Sequence, residues 1–332
     1  MKSYLLGMDQ NYSENSLAQD QCHNLASNLL IQVAKTYKVE SNLFNIGIYG
    51  CGPSDNDLIA LDKYLFPYLF ESNPNLKVNV YMIDIAETKW SKQIAKTSAN
   101  IVIYGIKSDI YCKILSDNLL DLVISFSCLH WLRHIPIEIN NELSWADLNE
   151  KKKEIMREFL DESLVLFLNL RKKELKKNGK LILSFDAENH YENHQYQGPT
   201  DCLVNAIKKL KLNRDLKNFF VPTAPRNKER VENCIKLSNL QLDNISLKFV
   251  NCPIWDEFKT KTTKTTDDIE VYNFSKKIND SIQSCVGPIL KNYLNSDLLD
   301  LLSFETIEII RKKPRLEYST AGNIIITMIS NN

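Results

Sequence analysis

The chain has 332 residues, 44% of them apolar and 25% charged, which leaves little room for disorder or collagen-like repeats and suits two domains or one elaborated domain. Its 41 Lys and Arg balance 41 Asp and Glu, and only eight of the basic residues are Arg, so the positive excess and bidentate phosphate chemistry of a nucleic-acid binder are missing. The M-K-S-Y-L-L-G start has no signal-peptide core, no run approaches a membrane span, and the eight cysteines include no C-x-x-C pair; the expectation is a reduced, cytoplasmic protein with no nucleic-acid, membrane or metal partner.

In chain order, Ser13 to Tyr37 reads as a helix with a stripe of Ala18, Cys22, Leu25, Leu29 and Val33. Phe44 to Tyr49 reads as a strand running into the turn Gly50-Cys51-Gly52-Pro53, with a helix over Asp57 to Phe70 after it. Val78 to Ile83 is a second strand ending at Asp84, and Ile101 to Tyr104 a third. Leu119 to Phe126 is the fourth and most apolar, as a central parallel strand should be. Asn149 to Lys177 is a charged helix stopped by Asn178-Gly179, and Lys180 to Phe185 is the fifth strand. Helices are expected over Thr200–Leu212, Lys228–Leu240, Val271–Leu294 and Asp297–Lys312, a strand over Ile245–Val250, a polar loop over Phe258–Asp268, and a closing strand over Asn323–Ile329. Strands alternating with longer helices predict an α/β fold around a parallel sheet.

Three stretches could carry chemistry. In Gly50-Cys51-Gly52-Pro53-Ser54-Asp55-Asn56, two glycines are followed by Pro53 and Asp55. A pyrophosphate loop wants a third glycine and no carboxylate, so this turn suits a ligand without phosphate, or is merely a strand–helix connection. S-adenosylmethionine is such a ligand, and Asp84 stands where a carboxylate can take its ribose hydroxyls. The run Ile124-Ser125-Phe126-Ser127-Cys128-Leu129-His130-Trp131-Leu132 ends a core strand in small polar groups, an imidazole and an indole, where open α/β sheets place ligands. The bland alternative makes His130 and Trp131 packing residues. Tyr12, Asn15 and Gln19 cluster ahead of a helix, although Ser16-x-x-Gln19 also satisfies a capping box. His190 and His194 stand four apart among loop residues, and no metal is expected there.

Taken in order, these stretches resemble the SABATH methyltransferases, the salicylate, benzoate and theobromine methylating enzymes. Asn11 to Gln19 matches the family's Ser-Tyr-Ala-x-Asn-Ser-x-x-Gln run, and Gly50, Cys51 and Asn56 match its Gly-Cys-Ser-Ser-Gly-Pro-Asn loop. Asp84 matches its second-strand aspartate, followed by Ile85 where leucine is usual. Ser125, Ser127, Leu129, His130, Trp131, Leu132 and Pro136 match Ser-Ser-x-Ser-Leu-His-Trp-Leu-Ser-x-x-Pro. Phe167 to Phe185 resembles its Phe-Leu…Arg…Glu-Leu…Gly-Gly-x-Leu segment, Asn218 to Val231 its Phe-x-x-Pro-x-Tyr-x-Pro segment with Thr223 near the tyrosine, and Pro288 to Lys312 its last helices. Three departures stand out: Ile48 replaces an aspartate, Asp109 and Ile110 replace a serine and an adenine-contacting phenylalanine, and the N-terminal glycine-rich loop is short.

The resemblance implies a Rossmann-like class I methyltransferase sheet with a helical cap. The core would be mainly 40–186 with 240–252 and 290–332, the cap mainly 132–165 and 187–285, and segment 1–22 would close over the site. It implies an S-adenosylmethionine-dependent enzyme, a homodimer, that forms the methyl ester of a small organic acid. Gln19 and Trp131 would hold the acceptor carboxylate, with Ser127 and His130 lining its pocket. Tyr12, Cys51, Asn56, Asp84, Ile85, Asp109, Ile110 and Ser125 would surround the cofactor. The alternatives are N-methylation of a small heterocycle, or an inactive relative that only binds or regulates.

Overall fold

The computed structural model describes residues 23–37, 41–52, 55–85, 100–188, 199–251, 253–262, 268–314 and 320–330. Strand β1 (Leu43–Tyr49) is buried at every position after Leu43, as an apolar run sandwiched on both faces must be. It pairs in parallel with β2 (Lys77–Asp84) on one side and β4 (Leu120–Phe126) on the other. Outside β2 lies β3 (Ile101–Lys107), and beyond β4 lies β5 (Leu175–Asp186), both parallel to their neighbours. The sheet is completed by β7 (Thr320–Ile329), antiparallel to β5, and by β6 (Gln241–Asn251), antiparallel to β7. The order is β3-β2-β1-β4-β5-β7-β6. Chain progression reverses between β1 and β4, so a crevice opens beyond the carboxyl ends of those strands.

Helices α1 (Ser27–Thr36), α2 (Asn56–Tyr64) and α3 (Phe66–Ser72) cover one face of the sheet, packing Leu30 and Leu61 onto Ile46, Ile48, Val80 and Ile124. On the other face α4 (Glu150–Glu174) and α6 (Lys228–Ser238) bring Phe167, Leu168 and Ile235 onto Val123, Leu181 and Leu183. A separate apolar core joins α5 (Pro199–Lys209), α7 (Pro253–Lys261), α8 (Asp268–Leu290) and α9 (Ser296–Lys312) through Leu203, Ile207, Ile254, Ile282, Leu302 and Ile310. These four helices form a layer with a core of its own. Helix α9 packs within it, although the sequence division grouped 290–332 with the sheet.

Several boundaries differ from expectation, each for a local reason. The helix expected over Asp57–Phe70 is two, because Pro67 opens α3; its ring and missing N–H are incompatible with a continuous helix, which ends at Tyr64. Helix α4 stops at Glu174, where Leu175 turns extended and enters β5. Asn178 does take a left-handed φ of 61°, but inside that strand, where its N–H donates to the Ser330 carbonyl at 2.9 Å. Phe258 to Lys261, expected as loop, is the last part of α7: Phe258 packs on Trp255 and Phe274, and that contact outweighs the weak helix propensity of its Thr/Lys surroundings. Helix α8 starts at Asp268 and ends at Leu290, a turn earlier at each end than the apolar pattern suggested.

Candidate active site

The chain leaves β1 through Gly50 and Gly52, whose φ angles of 75° and 60° are left-handed. Gly50 donates its N–H to the Ile83 carbonyl at 2.8 Å, and Gly52 donates to Asp84 Oδ2 at 2.8 Å. The first loop is therefore tied to the end of β2, and the Asp84 carboxylate is oriented by loop backbone. Cys51 is buried beside it; burial first, and then the Asp84 and Asp57 carboxylates, push its thiol well up, so it remains protonated. Asn56 opens α2 and is buried, while Ile85 is half-buried just past β2.

The Ser108 N–H donates to the Asp84 carbonyl at 2.9 Å, which brings Asp109 to the same rim. Asp109 Oδ1 accepts from the Tyr111 N–H at 2.9 Å, and its Oδ2 lies 3.8 Å from Arg133 Nη2. The Arg133 guanidinium sits over the Tyr111 ring at 4.7 Å. Ile110, expected against adenine, is 8% exposed and packs with Tyr49, Ile83 and Phe167.

At the end of β4, the Ser125 hydroxyl donates to the Tyr49 carbonyl at 2.8 Å and is fully buried. Expected beside the cofactor, Ser125 joins β4 to β1 through its hydroxyl. Ser127 adopts a left-handed φ of 52°, unusual for a residue with a Cβ, and its N–H donates to the Ser184 carbonyl at 2.9 Å. Beyond it the backbone of His130 to Leu132 pairs with Pro222 to Ala224: Leu132 donates to Pro222 at 2.8 Å, Ala224 donates to His130 at 3.0 Å, and Trp131 bridges Thr223. Beneath this pairing lies Arg226, a buried guanidinium that donates to the Leu129 carbonyl through Nε (3.0 Å) and Nη2 (2.7 Å) and to Leu160 through Nη1 (2.9 Å). The half-buried Trp131 side chain is thus presented by a backbone held on two sides.

His130 is not placed to act as a base. Its Nδ1 faces the Asp186 N–H at 3.5 Å and its Nε2 faces Asp186 Oδ2 at 3.9 Å. A neutral ring that accepts at Nδ1 carries its proton on Nε2, so both nitrogens are committed to Asp186. Burial lowers the His130 pKa below its ordinary 6.5, with Asp186 opposing. Above that value both folded and unfolded chains keep the ring neutral. As pH falls, the unfolded chain protonates first and stability is lost. Urea midpoints measured from about pH 7 down to about pH 5 should therefore drop more steeply for the native chain than for His130→Gln. Parallel slopes would contradict this environment.

Three groups were not singled out from sequence. His23 Nε2 lies 2.9 Å from Asp57 Oδ1, both buried, with the imidazole edge-on to Phe126 at 4.9 Å. Arg226 is the second, and the buried Arg171–Glu174 pair of α4 the third. Pairs 34 residues apart leave no local signal, and charges on a helix read as solvent-facing. Tyr12, Gln19, His190 and His194 lie outside the described residues. Among the described residues no cluster of His, Cys, Asp and Glu could hold a metal ion, and no helix is long and apolar enough to cross a membrane.

The rim suits a ligand with a ribose and a positive centre. The stretch from Gly50 to Asn56 contains no Lys or Arg for a pyrophosphate, and Asp84 is 9% exposed with one oxygen already fixed by a backbone donor. Calorimetric titration of Asp84→Ala should show S-adenosylhomocysteine affinity falling at least several-fold, since unpaired hydroxyls in a dry site cost on the order of 1–3 kcal/mol. Unchanged affinity in a folded variant would remove Asp84 from the site.

The profile of the SAM dependent carboxyl methyltransferases matches residues 7–331. The chain is similar to the salicylate/benzoate carboxyl methyltransferase of Arabidopsis thaliana, at 22% identity over 232 residues that make up 60% of this chain and 59% of that protein. It is also similar to methyltransferase LUC1 of a Fusarium species, at 25% identity over 243 residues, 68% of this chain and 64% of that one. The matches thus span less than two thirds of either relative. Its fold is similar to that of loganic acid methyltransferase with SAH, with a TM-score of 0.80, 14% identity and 97% of both chains covered. With the family profile spanning nearly its whole length, the chain belongs to the SAM-dependent carboxyl methyltransferases.

Proposed function

We propose that the protein transfers the methyl group of S-adenosylmethionine to the carboxylate of a small, largely apolar organic acid. The observation that carries this reading is the crevice beyond β1, β2 and β4. In this reading Asp84, fixed by the first loop at the end of β2, takes the ribose, Trp131, on a clamped backbone beyond β4, takes the acceptor, and His130 turns its ring nitrogens toward Asp186. The bound cofactor supplies an electrophilic methyl on a sulfonium. A carboxylic acid with a pKa near ~4 arrives ionised, so the protein has no proton to abstract. Its task is alignment, and ideal orientation is worth up to roughly 7–11 kcal/mol.

The Trp131 indole N–H and the Gln19 amide hold the acceptor oxygens as uncharged donors, which orient a carboxylate without pairing away its charge. Ser127 and His130 line the acceptor pocket. Cys51, Asn56, Asp84, Ile85, Asp109, Ile110 and Ser125 bound the cofactor, and Tyr12 closes over it. The helical cap covers the apolar body of the acid and excludes water. Assembly as a homodimer belongs to the same reading, on the resemblance alone, and light scattering of the purified chain tests it; so does a cytoplasmic location.

The deciding assay uses methyl-labelled cofactor with a panel of aromatic, fatty and terpenoid acids. An ester product releases volatile labelled methanol in alkali. Label that survives alkali would overturn carboxyl transfer in favour of a ring-nitrogen acceptor.

A further inference from the structure

The connection from β3 to β4, residues 108–119, contains no helix, yet it carries Asp109 at the rim of the site. Its shape comes from α4. Glu174 Oε1 accepts from the Ile114 N–H at 2.9 Å and the Leu115 N–H at 3.0 Å. Arg171 donates through Nη1 to the Ile110 carbonyl at 2.7 Å and through Nη2 to the Cys112 carbonyl at 2.8 Å. The two side chains pair with each other, Nε lying 2.8 Å from Oε2, and both are fully buried. Glu174 Oε2 also accepts the Tyr49 hydroxyl, and the Arg171 guanidinium stacks 4.0 Å above the Tyr49 ring. Tyr49 immediately precedes Gly50, and its carbonyl takes the Ser125 hydroxyl.

An ion pair removed from water gives little net stability, and apolar side chains of similar volume would serve a core as well or better. What apolar packing cannot supply is direction. Here four backbone groups of one helix-free loop, at Ile110, Cys112, Ile114 and Leu115, are each aimed by a charge that is itself referenced to the last residue of β1. We propose that Arg171, Glu174 and Tyr49 are positioning residues for the adenosine end of the cofactor site, setting the 108–115 loop against the Gly50 turn. The inference rests on reading this crevice as an S-adenosylmethionine site.

The test titrates S-adenosylhomocysteine and free adenosine into the native chain, Glu174→Gln and Tyr49→Phe. Hydrogen exchange at the Ile114 and Leu115 amides is followed in parallel. Glu174→Gln should lose protection at those two amides and bind both ligands about tenfold more weakly, as expected when a contact wall shifts by a fraction of an ångström. The cofactor KM should rise while kcat at saturating cofactor changes little. Tyr49→Phe, which deletes one hydroxyl, should move both affinities the same way by a smaller factor, and it carries the test if Glu174→Gln does not fold. Native protein that fails to bind S-adenosylhomocysteine would overturn the proposed function, and this inference with it. Native binding, with lowered melting temperatures but unaltered affinities in the variants, would overturn the positioning role alone.

Discussion

Replacing Gly50 with alanine is expected to disable the cofactor crevice. A Cβ at this position would lie 2.0 Å from Cys128 Sγ and 2.7 Å from Cys128 Cβ, and the backbone already sits at a φ of 75°. Overpacking of this kind costs about 1–3 kcal/mol and a left-handed non-glycine residue about 1–2, so roughly 2–5 kcal/mol is expected together. The strain has nowhere harmless to go. If the turn moves, the Gly50–Ile83 and Gly52–Asp84 hydrogen bonds lengthen and Asp84 loses its orientation. If Cys128 moves, the segment bearing His130 and Trp131 moves with it. Melting temperature and S-adenosylhomocysteine affinity should therefore fall together. A second change, Cys128→Gly, removes both contacting atoms and should recover the steric share of the loss but not the backbone share. Native affinity in Gly50→Ala would show that the first loop adapts without cost.

Trp131→Phe and Gln19→Glu should each lower kcat/KM by tenfold or more, about 1.4 kcal/mol, in protein that stays folded and binds cofactor. Phenylalanine keeps most of the volume of the indole but deletes its N–H. The backbone pairing of residues 130–132 with 222–224 and the Arg226 clamp do not depend on the indole, so the segment should hold its course. Glutamate at position 19 keeps the length and shape of glutamine while setting a negative charge beside an anionic acceptor. Two donors gripping one carboxylate act as a unit, so the double variant should lose less than the sum. Near-normal turnover with shifted melting temperatures would return both residues to capping and packing.

The central strands β1 and β4 were legible because each is an apolar run buried on both faces, and runs of that kind need no tertiary context to be recognised. The edge strand β3 has no buried residue and was read from its β-branched run alone. What sequence hid was the destination of polar groups. The sequence marked α4 only as a charged helix, yet Arg171 and Glu174 are fully buried, because the loop they hold has no helix to satisfy its own backbone. The family motif contained that pair without saying which way it pointed. The meeting of the Gly50 turn with Asp84 was legible from strand ends alone. Ser125 and Ile110 were assigned by motif, which gave no hint that the first ties β4 to β1 and that the second packs in the core. The short α7 was missed because Thr and Lys dominate its end, where only the burial of Phe258 against Phe274 would have argued for a helix.

The position of β7 bears on how the chain is made. It is the last strand in sequence, yet it is wedged between β5 and β6, bonding one along Lys180–Asp186 and the other along Gln241–Asn251. During synthesis both partners must wait for residues 320–329 with their edges open, through the time taken to produce α8 and α9. Open, apolar strand edges are templates for pairing with other chains. A chain terminated between β6 and β7 would carry an open edge on β5 and a β6 with no partner, instead of being a slightly shortened enzyme. Premature stops late in the message should therefore yield insoluble product and little residual activity, despite encoding every residue of the crevice.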